Sequence, residues 1–368
     1  MTEALVYEVA IGLLPGIGNM LTRQLISYCG SAKQVFTSPP GKLQKIPGIG
    51  QTHLKTLINH SVLNQAESIV KQAEKENVQL LFYTNKAYPD RLKQIADAPT
   101  LLYYKGTANL NQPKIISIVG TRQCTAYGKE VTEQLVQDLA KHNVLVVSGL
   151  AYGIDIAAHR ASVQHQLATV GVMANGLDII YPAVHRKIAD KMVQYGGLLS
   201  ENSFGTKPDA PRFPARNRII AGMADATIIV EAAIKGGTLI TADIAHSYNK
   251  DVLAVPGPVN APFSEGCNYL IKSHKAAMYT QIKDLEELLN WDLEASDQGS
   301  AKIIKYNPED FSPEEFKIIQ LLQEVKEEQI DNISWKAQVT ISQVASLLLG
   351  LEFKGVVKAL PGKKYQLL

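Results

Sequence analysis

Residues 115–153 read IISIVGTRQCTAYGKEVTEQLVQDLAKHNVLVVSGLAYG. The apolar runs IISIV (115–119) and VLVVS (144–148) each end in a glycine-bearing turn, and a stretch of helical period, 127–142, lies between them. Continuous apolar runs, rather than alternation, suit parallel strands covered on both faces. The pattern continues outward. TVGVM (169–173), LLSE (198–201), TIIVE (227–231), VLAVP (252–256) and AAMYT (276–280) are the further strands, with helical stretches at 154–166 and 239–249. Regular alternation of strand and helix predicts an α/β fold with a doubly wound sheet.

Around this middle region the texture changes. Residues 1–66 are helical in period and carry a short repeat, LLPGIG at 13–18 and KIPGIG at 45–50. A connecting segment near 78–110 holds two strand candidates, at 78–83 and 101–104. Residues 295–308 (ASDQGSAKIIKYNP) read as a linker. Beyond it, three helical stretches and two short strands around Pro361-Gly362 predict a winged helix at 309–368. The domains expected are therefore 1–66, 67–294 and 309–368.

Composition narrows the function classes. The 368 residues are 46% hydrophobic and 20% charged with a formal net charge of +2, so any basic surface must be local. Cys29, Cys124 and Cys267 have neither metal nor disulfide spacing, which favours a reducing cytosol. The apolar opening carries Glu3 and Glu8 and no basic stretch, so no secretory signal is expected. Without an apolar run of about 18 residues, no membrane helix is expected either. The expected location is cytoplasmic.

Ligands of open α/β sheets bind beyond the carboxyl ends of the strands, so the turns there carry the candidates. They are Gly120, Thr121 and Arg122, with Tyr127 opening the next helix; Gly149; Lys207; Arg212, Phe213, Arg216, Asn217 and Arg218; and Gly236, Gly237 and Thr238. Glycines at helix starts let backbone N–H groups approach a phosphate, and arginines add bidentate contacts. Tyr127 and Phe213 offer faces on which bases can stack. Arginines and aromatics over a glycine-lined cleft suit a single strand better than a duplex. Each candidate also has a structural reading. The glycines serve the turns, Phe213 is a core aromatic, and Arg216 and Arg218 pair with carboxylates such as Glu201 or Glu231. Asp155 orders a helix start, and His159 is a satisfied core histidine.

The segments SIVGTRQCTAYG, VVSGLAYGIDIAAH, NGLDIIYP, GGLLSEN, FPARNRIIAGMADATIIVEA, GGTLITA and VLAVPGPVN resemble, in order and spacing, the motif series of the DNA-processing A (DprA/Smf) family. The resemblance covers about 78–290. It implies an extended Rossmann-like domain, single-stranded DNA as ligand, loading of the recombinase RecA during natural transformation, a homodimer, and no catalysis or cofactor. By that resemblance Arg122, Phe213, Arg216 and Arg218 line the DNA site. Tyr152 and Lys235 depart from the commonest pattern. The paired PGIG stretches resemble a tandem helix-hairpin-helix, or are two helix-ending turns of a packing domain.

Other classes fit less well. Arg216-Asn217 and Gly236-Gly237-Thr238 resemble the nucleoside-phosphate phosphoribohydrolase group, but Ile240 stands where that group places a carboxylate. GTRQCTAYG is not the GxGxxG of dinucleotide oxidoreductases. No clustered carboxylates suggest a nuclease. Residues 301–368 hold nine Lys against nine Asp/Glu and no Arg, so the winged helix reads as a protein-contact module more than a phosphate reader, although Lys358, Lys363 and Lys364 near the wing keep a DNA role open.

Overall fold

The computed structural model describes residues 3–58, 61–291, 306, 311–325, 327–360 and 364–367. It divides into two compact units, 1–292 and 293–368. The linker placed at 295–308 lies outside the described residues apart from Tyr306.

Six helices open the chain. The first PGIG joins α1 (Glu3–Gly12) to α2 (Asn19–Cys29); α3 (Ala32–Thr37) and α4 (Pro40–Leu43) follow, and the second PGIG leads into α5 (Gln51–Ile58) and α6 (Ser61–Lys75). Both turns need a left-handed residue, and Gly16 and Gly48 supply it with φ of 78° and 79°. The two hairpins pack reciprocally. A Cβ on Gly16 would meet the His53 ring at 3.7 Å, and one on Gly48 would meet Leu21 at 3.2 Å. Leu21 and His53 each stand three residues past the last glycine of their own repeat.

The boundary expected at 66/67 falls inside α6, whose buried Ala66, Ile69, Val70 and Ala73 continue one apolar stripe across it. These residues share a hydrophobic cluster with Phe82, Tyr103, Leu150, Met173 and Leu198, so the helical region and the sheet are one body.

The sheet region runs β1 (Gln79–Phe82), α7 (Asp90–Lys93), β2 (Leu101–Gly106), β3 (Ile115–Val119), α8 (Ala126–Ala140), β4 (Leu145–Gly149), α9 (Ile154–Gln164) and β5 (Thr169–Met173). A 3-10 turn (Ala183–His185), α10 (Arg186–Tyr195), β6 (Gly197–Ser200), α11 (Arg212–Met223), β7 (Ala226–Ile229) and α12 (Gly237–Ser247) follow. β8 (Asp251–Ala254), α13 (Glu265–Lys272), β9 (Ala277–Met278) and α14 (Ile282–Leu289) complete it.

Nine strands form one sheet in the order β1-β2-β6-β5-β4-β3-β7-β8-β9. β6 through β9 are parallel, and the two strand candidates of the connecting segment extend the sheet as antiparallel β2 and β1. β3, β4 and β5 are buried at every residue, as continuous apolar runs require. The chain winds outward from β3 to β6, then crosses back to place β7 on the other side of β3. The sheet therefore has its topological switch point at β3/β7, where a doubly wound fold opens its ligand crevice. Arg91 and Asp225 lock the segment carrying α7 to this centre. Arg91 Nε and Nη2 donate to the Asp225 carboxylate at 2.7 and 2.9 Å, and that carboxylate also accepts from the Ile115 N–H at 2.9 Å.

The second unit contains α15 (Pro313–Glu324), β10 (Glu327–Gln329), α16 (Ile330–Ala337), α17 (Ile341–Phe353), β11 (Val357–Leu360) and β12 (Lys364–Leu367). It is a winged helix with its own core, in which Ile318, Ile319, Leu322, Ile333, Val344 and Leu348 are buried. β10 adds a third strand, giving the order β10-β12-β11. Of the wing lysines, Lys363 lies outside the described residues, and Lys364 pairs with Glu327 at 2.6 Å. No helix among the described residues is long and apolar enough to cross a membrane.

Candidate nucleic-acid interface

Three turns meet at the switch point. The turn after β3 carries Gly120, Thr121 and Arg122, and it is tied to β7 because the Thr121 N–H donates to the Glu231 carbonyl at 2.7 Å. The buried Glu231 carboxylate accepts from the Thr125 N–H at 2.9 Å and from Thr125 Oγ1 at 2.6 Å, which anchors the start of α8. The turn after β4 leads through Gly153 (φ 82°) into α9. The third turn, after β7, ends at Gly236, the residue before α12, with no side chain capping the helix start. Uncapped N–H groups in the first turn of a helix favour an anion.

Between these turns lies a cavity of about 900 Å³. Gly120, Thr121, Arg122, Phe213, Arg216, Asn217, Gly236, Gly237 and Thr238 all line it. α11 supplies its other wall. Phe213, Arg216, Asn217 and Ile220 recur at intervals of three and four, so one face of the helix turns to the cavity. Pro211 and Pro214 are tolerated because they sit at the start of the helix, where N–H groups lack carbonyl partners anyway. Asn217 Nδ2 donates to Thr241 Oγ1 at 2.9 Å and joins α11 to α12.

Arg122 and Phe213 form the mouth. Arg122 is exposed, and its guanidinium lies over the Phe213 ring, 5.3 Å from the centroid. Tyr181 stands beside that ring, with centroids 5.9 Å apart. Sequence reading assigned Tyr181 no role; its signal was an exposed aromatic placed beyond the carboxyl end of β5. Lys235 is exposed on the same lining, as are Asp209 and Ala210, and Pro208 is half-buried there.

Several expected contacts lie elsewhere. Arg216 is at the cavity floor and not at its rim, with 6% of its surface exposed, and it donates to the Val172 carbonyl and to Asn217 Oδ1. Burial pushes the Asp155 carboxyl up, and the neighbouring Arg216 guanidinium opposes that rise. An arginine stays protonated in such a site, so its charge is already shared with Asp155. Arg218 is not among the lining residues. It pairs with Glu201 and donates to the Asp97 carbonyl at 2.7 Å. Five residues on from Phe213, it is about 140° around the helix and faces away.

Gly149 is buried at the end of β4, where a Cβ would collide with Asp155 and Arg216, so its smallness serves packing. Arg212 Nη1 donates to the Lys207 carbonyl at 3.0 Å, and neither residue lines the cavity. Tyr127 is outside the lining too, its hydroxyl donating to the Pro256 carbonyl at 2.9 Å. His159 is a core residue. Its ring nitrogens lie 2.8 Å from Thr169 Oγ1 and 2.7 Å from the Gly149 carbonyl, and burial drives its pKa down to about 4.

Comparison with known proteins bears on this geometry. Residues 79–290 match the family profile described as DNA recombination-mediator protein A, and 307–363 match the DprA winged helix domain. The Smf protein of Synechocystis is 30% identical, over 98% of each chain. The chain belongs to the DprA/Smf family. The DNA processing protein DprA of Bacillus subtilis is 41% identical over 206 residues, which is 56% of this chain and 69% of that one. The crystal structure of DprA from Streptococcus pneumoniae superimposes with a TM-score of 0.66 at 31% identity, covering 77% of this chain and 97% of that one. A Helicobacter pylori family member, whose structure is described for its single-stranded DNA binding mode, gives 0.53 at 31% identity, over 58% and 96%. The Bacillus, Streptococcus and Helicobacter relatives are named as DNA processing proteins.

Proposed function

We propose that this DprA/Smf protein holds single-stranded DNA in the cleft between α11 and the turns after β3, β4 and β7. In this reading it protects incoming strands, loads them with RecA recombinase during natural transformation, and acts as a cytoplasmic homodimer without catalysing a reaction. The observation that carries the DNA reading is Arg122 lying on Phe213 at the cleft mouth. An exposed cation and stacking faces, opposite the uncapped start of α12, are what a sequence-tolerant single strand needs. The family member named for single-stranded DNA binding supports the ligand. RecA loading, the dimer and the cellular role rest on family membership.

The phosphoribohydrolase reading is the alternative. Ile240 lines the cavity where a carboxylate would be required, and an alkyl group can neither ionise nor stabilise an oxocarbenium ion. Purified protein is expected to release no free base from nucleoside monophosphates.

Salt-titrated binding tests the main reading. Arg122→Ala should weaken single-strand binding alike for different sequences and flatten log affinity against log salt by roughly 0.7, the share of one phosphate. Phe213→Ala should cost roughly 1–3 kcal/mol of stacking with the slope unchanged. If both variants fold and bind like the parent, the cleft is not the DNA site.

A further inference from the structure

Arg122 lines three cavities at once. Besides the main cleft it borders a small one of about 120 Å³ with Leu150, Met173 and Tyr181. On its outer side it borders a third, of about 530 Å³, set between α8, α9 and the 3-10 turn at 183–185. Tyr152 lines both the second and the third, so the surface runs without a break from the main cleft over Arg122 and Tyr152 into the outer cavity.

The outer cavity has the character of a polyanion site. Lys129 projects into it from α8 and Arg160 from α9, and both are exposed. Neither side chain has an ion-pair or hydrogen-bond partner among the described residues. The one carboxylate in the lining, Glu133, accepts from Gln164 Nε2 at 3.4 Å. With Arg122, three cations therefore face one acid. The aromatic component is present too. Tyr152 is 51% exposed and leans on His185, with ring centroids 5.0 Å apart. An exposed aromatic between unpaired cations is the combination that tracks a single strand.

We propose that this outer cavity is a second nucleotide subsite, in which Lys129 and Arg160 take phosphates of the strand that leaves the main cleft over Arg122. The proposal rests on the reading of that cleft as a single-strand site and sets the direction the strand follows from it.

The full-length protein and a thymidine strand of about 16 nucleotides, the upper end of single-strand site sizes, provide the test. The Lys129→Ala/Arg160→Ala variant should flatten the salt dependence by roughly 1.4, the share of two single-strand phosphates. Its thermal midpoint should match the parent's, because both side chains are exposed and unpaired. Lys129→Glu/Arg160→Glu should bind more weakly still. A control, Lys272→Ala/Lys283→Ala, removes the same charge from α13 and α14 and should leave the slope in place. A parent-like slope in the first variant, or an equal flattening in the control, overturns the second subsite. If Arg122→Ala and Phe213→Ala also bind like the parent, the cleft reading falls with it; if those two lose binding as expected, only the outer subsite is lost.

Discussion

At Gly149 a Cβ would lie 2.6 and 2.7 Å from the two terminal nitrogens of Arg216. Gly149→Ala therefore overpacks the floor of the cleft, and urea unfolding should show a loss of about 1–3 kcal/mol. An unchanged midpoint would mean that Arg216 has room to move. His159, one layer below, couples stability to pH. Its folded pKa of about 4 lies under its ordinary 6.5, because burial disfavours the imidazolium. Above pH 6.5 the ring is neutral in both states. As pH falls from 6.5 towards 4 the unfolded chain takes up a proton that the native one refuses, so stability drops through that window. The share from this one group is on the order of 3 kcal/mol. Unfolding free energies measured across that window should decline with falling pH, and the decline should be shallower in a His159→Asn variant. An identical decline in the variant would assign the effect to other groups.

At the scale of the element, α11 performs two tasks on two faces. Its cleft face carries Phe213 and Asn217, while Arg218 on the far side holds Glu201, whose carboxyl burial pushes up and Arg218 pulls back. The two side chains are 14% and 20% exposed, so Arg218→Ala strands a largely desolvated carboxylate. The expected loss is about 3 kcal/mol, the low end for breaking a buried pair. Single-strand affinity and its salt slope should stay near the parent values wherever the variant is folded. This outcome is the reverse of that expected for Arg122→Ala, although both arginines stand in motifs of the family. A flattened salt slope in Arg218→Ala would return that residue to the DNA site.

Over the whole molecule, the two units have separate cores, so the first should fold without the second. A chain ending at Gln298 is expected to keep most of the single-strand affinity, since residues 301–368 balance nine Lys with nine Asp/Glu. A loss on the order of a hundredfold with a clearly shallower salt slope would show that the winged helix takes phosphates as well.

Strand runs, glycine turns and helix period are local properties, and they were enough to predict the doubly wound sheet, the winged helix and the ends of strands where the cleft opens. Runs such as IISIV and TVGVM have no alternating polar face to offer solvent, and their Ser117 and Thr169 are buried with hydrogen bonds inside the sheet, so a sheet covered on both faces accommodates them. Chain order after β3 and β7 then located the turns that meet. The direction of each charged side chain was not local. Arg216 is buried because Asp155, 61 positions earlier, lies beneath it, and Arg218 is occupied because β6 ends beside it at Glu201. The continuity of α6 past residue 66 and the addition of β1 and β2 to the sheet depended on what lay across the fold. A short sequence motif states which groups are available, but whether a charge reaches solvent or is spent on a buried partner depends on desolvation, which only the packed tertiary structure decides.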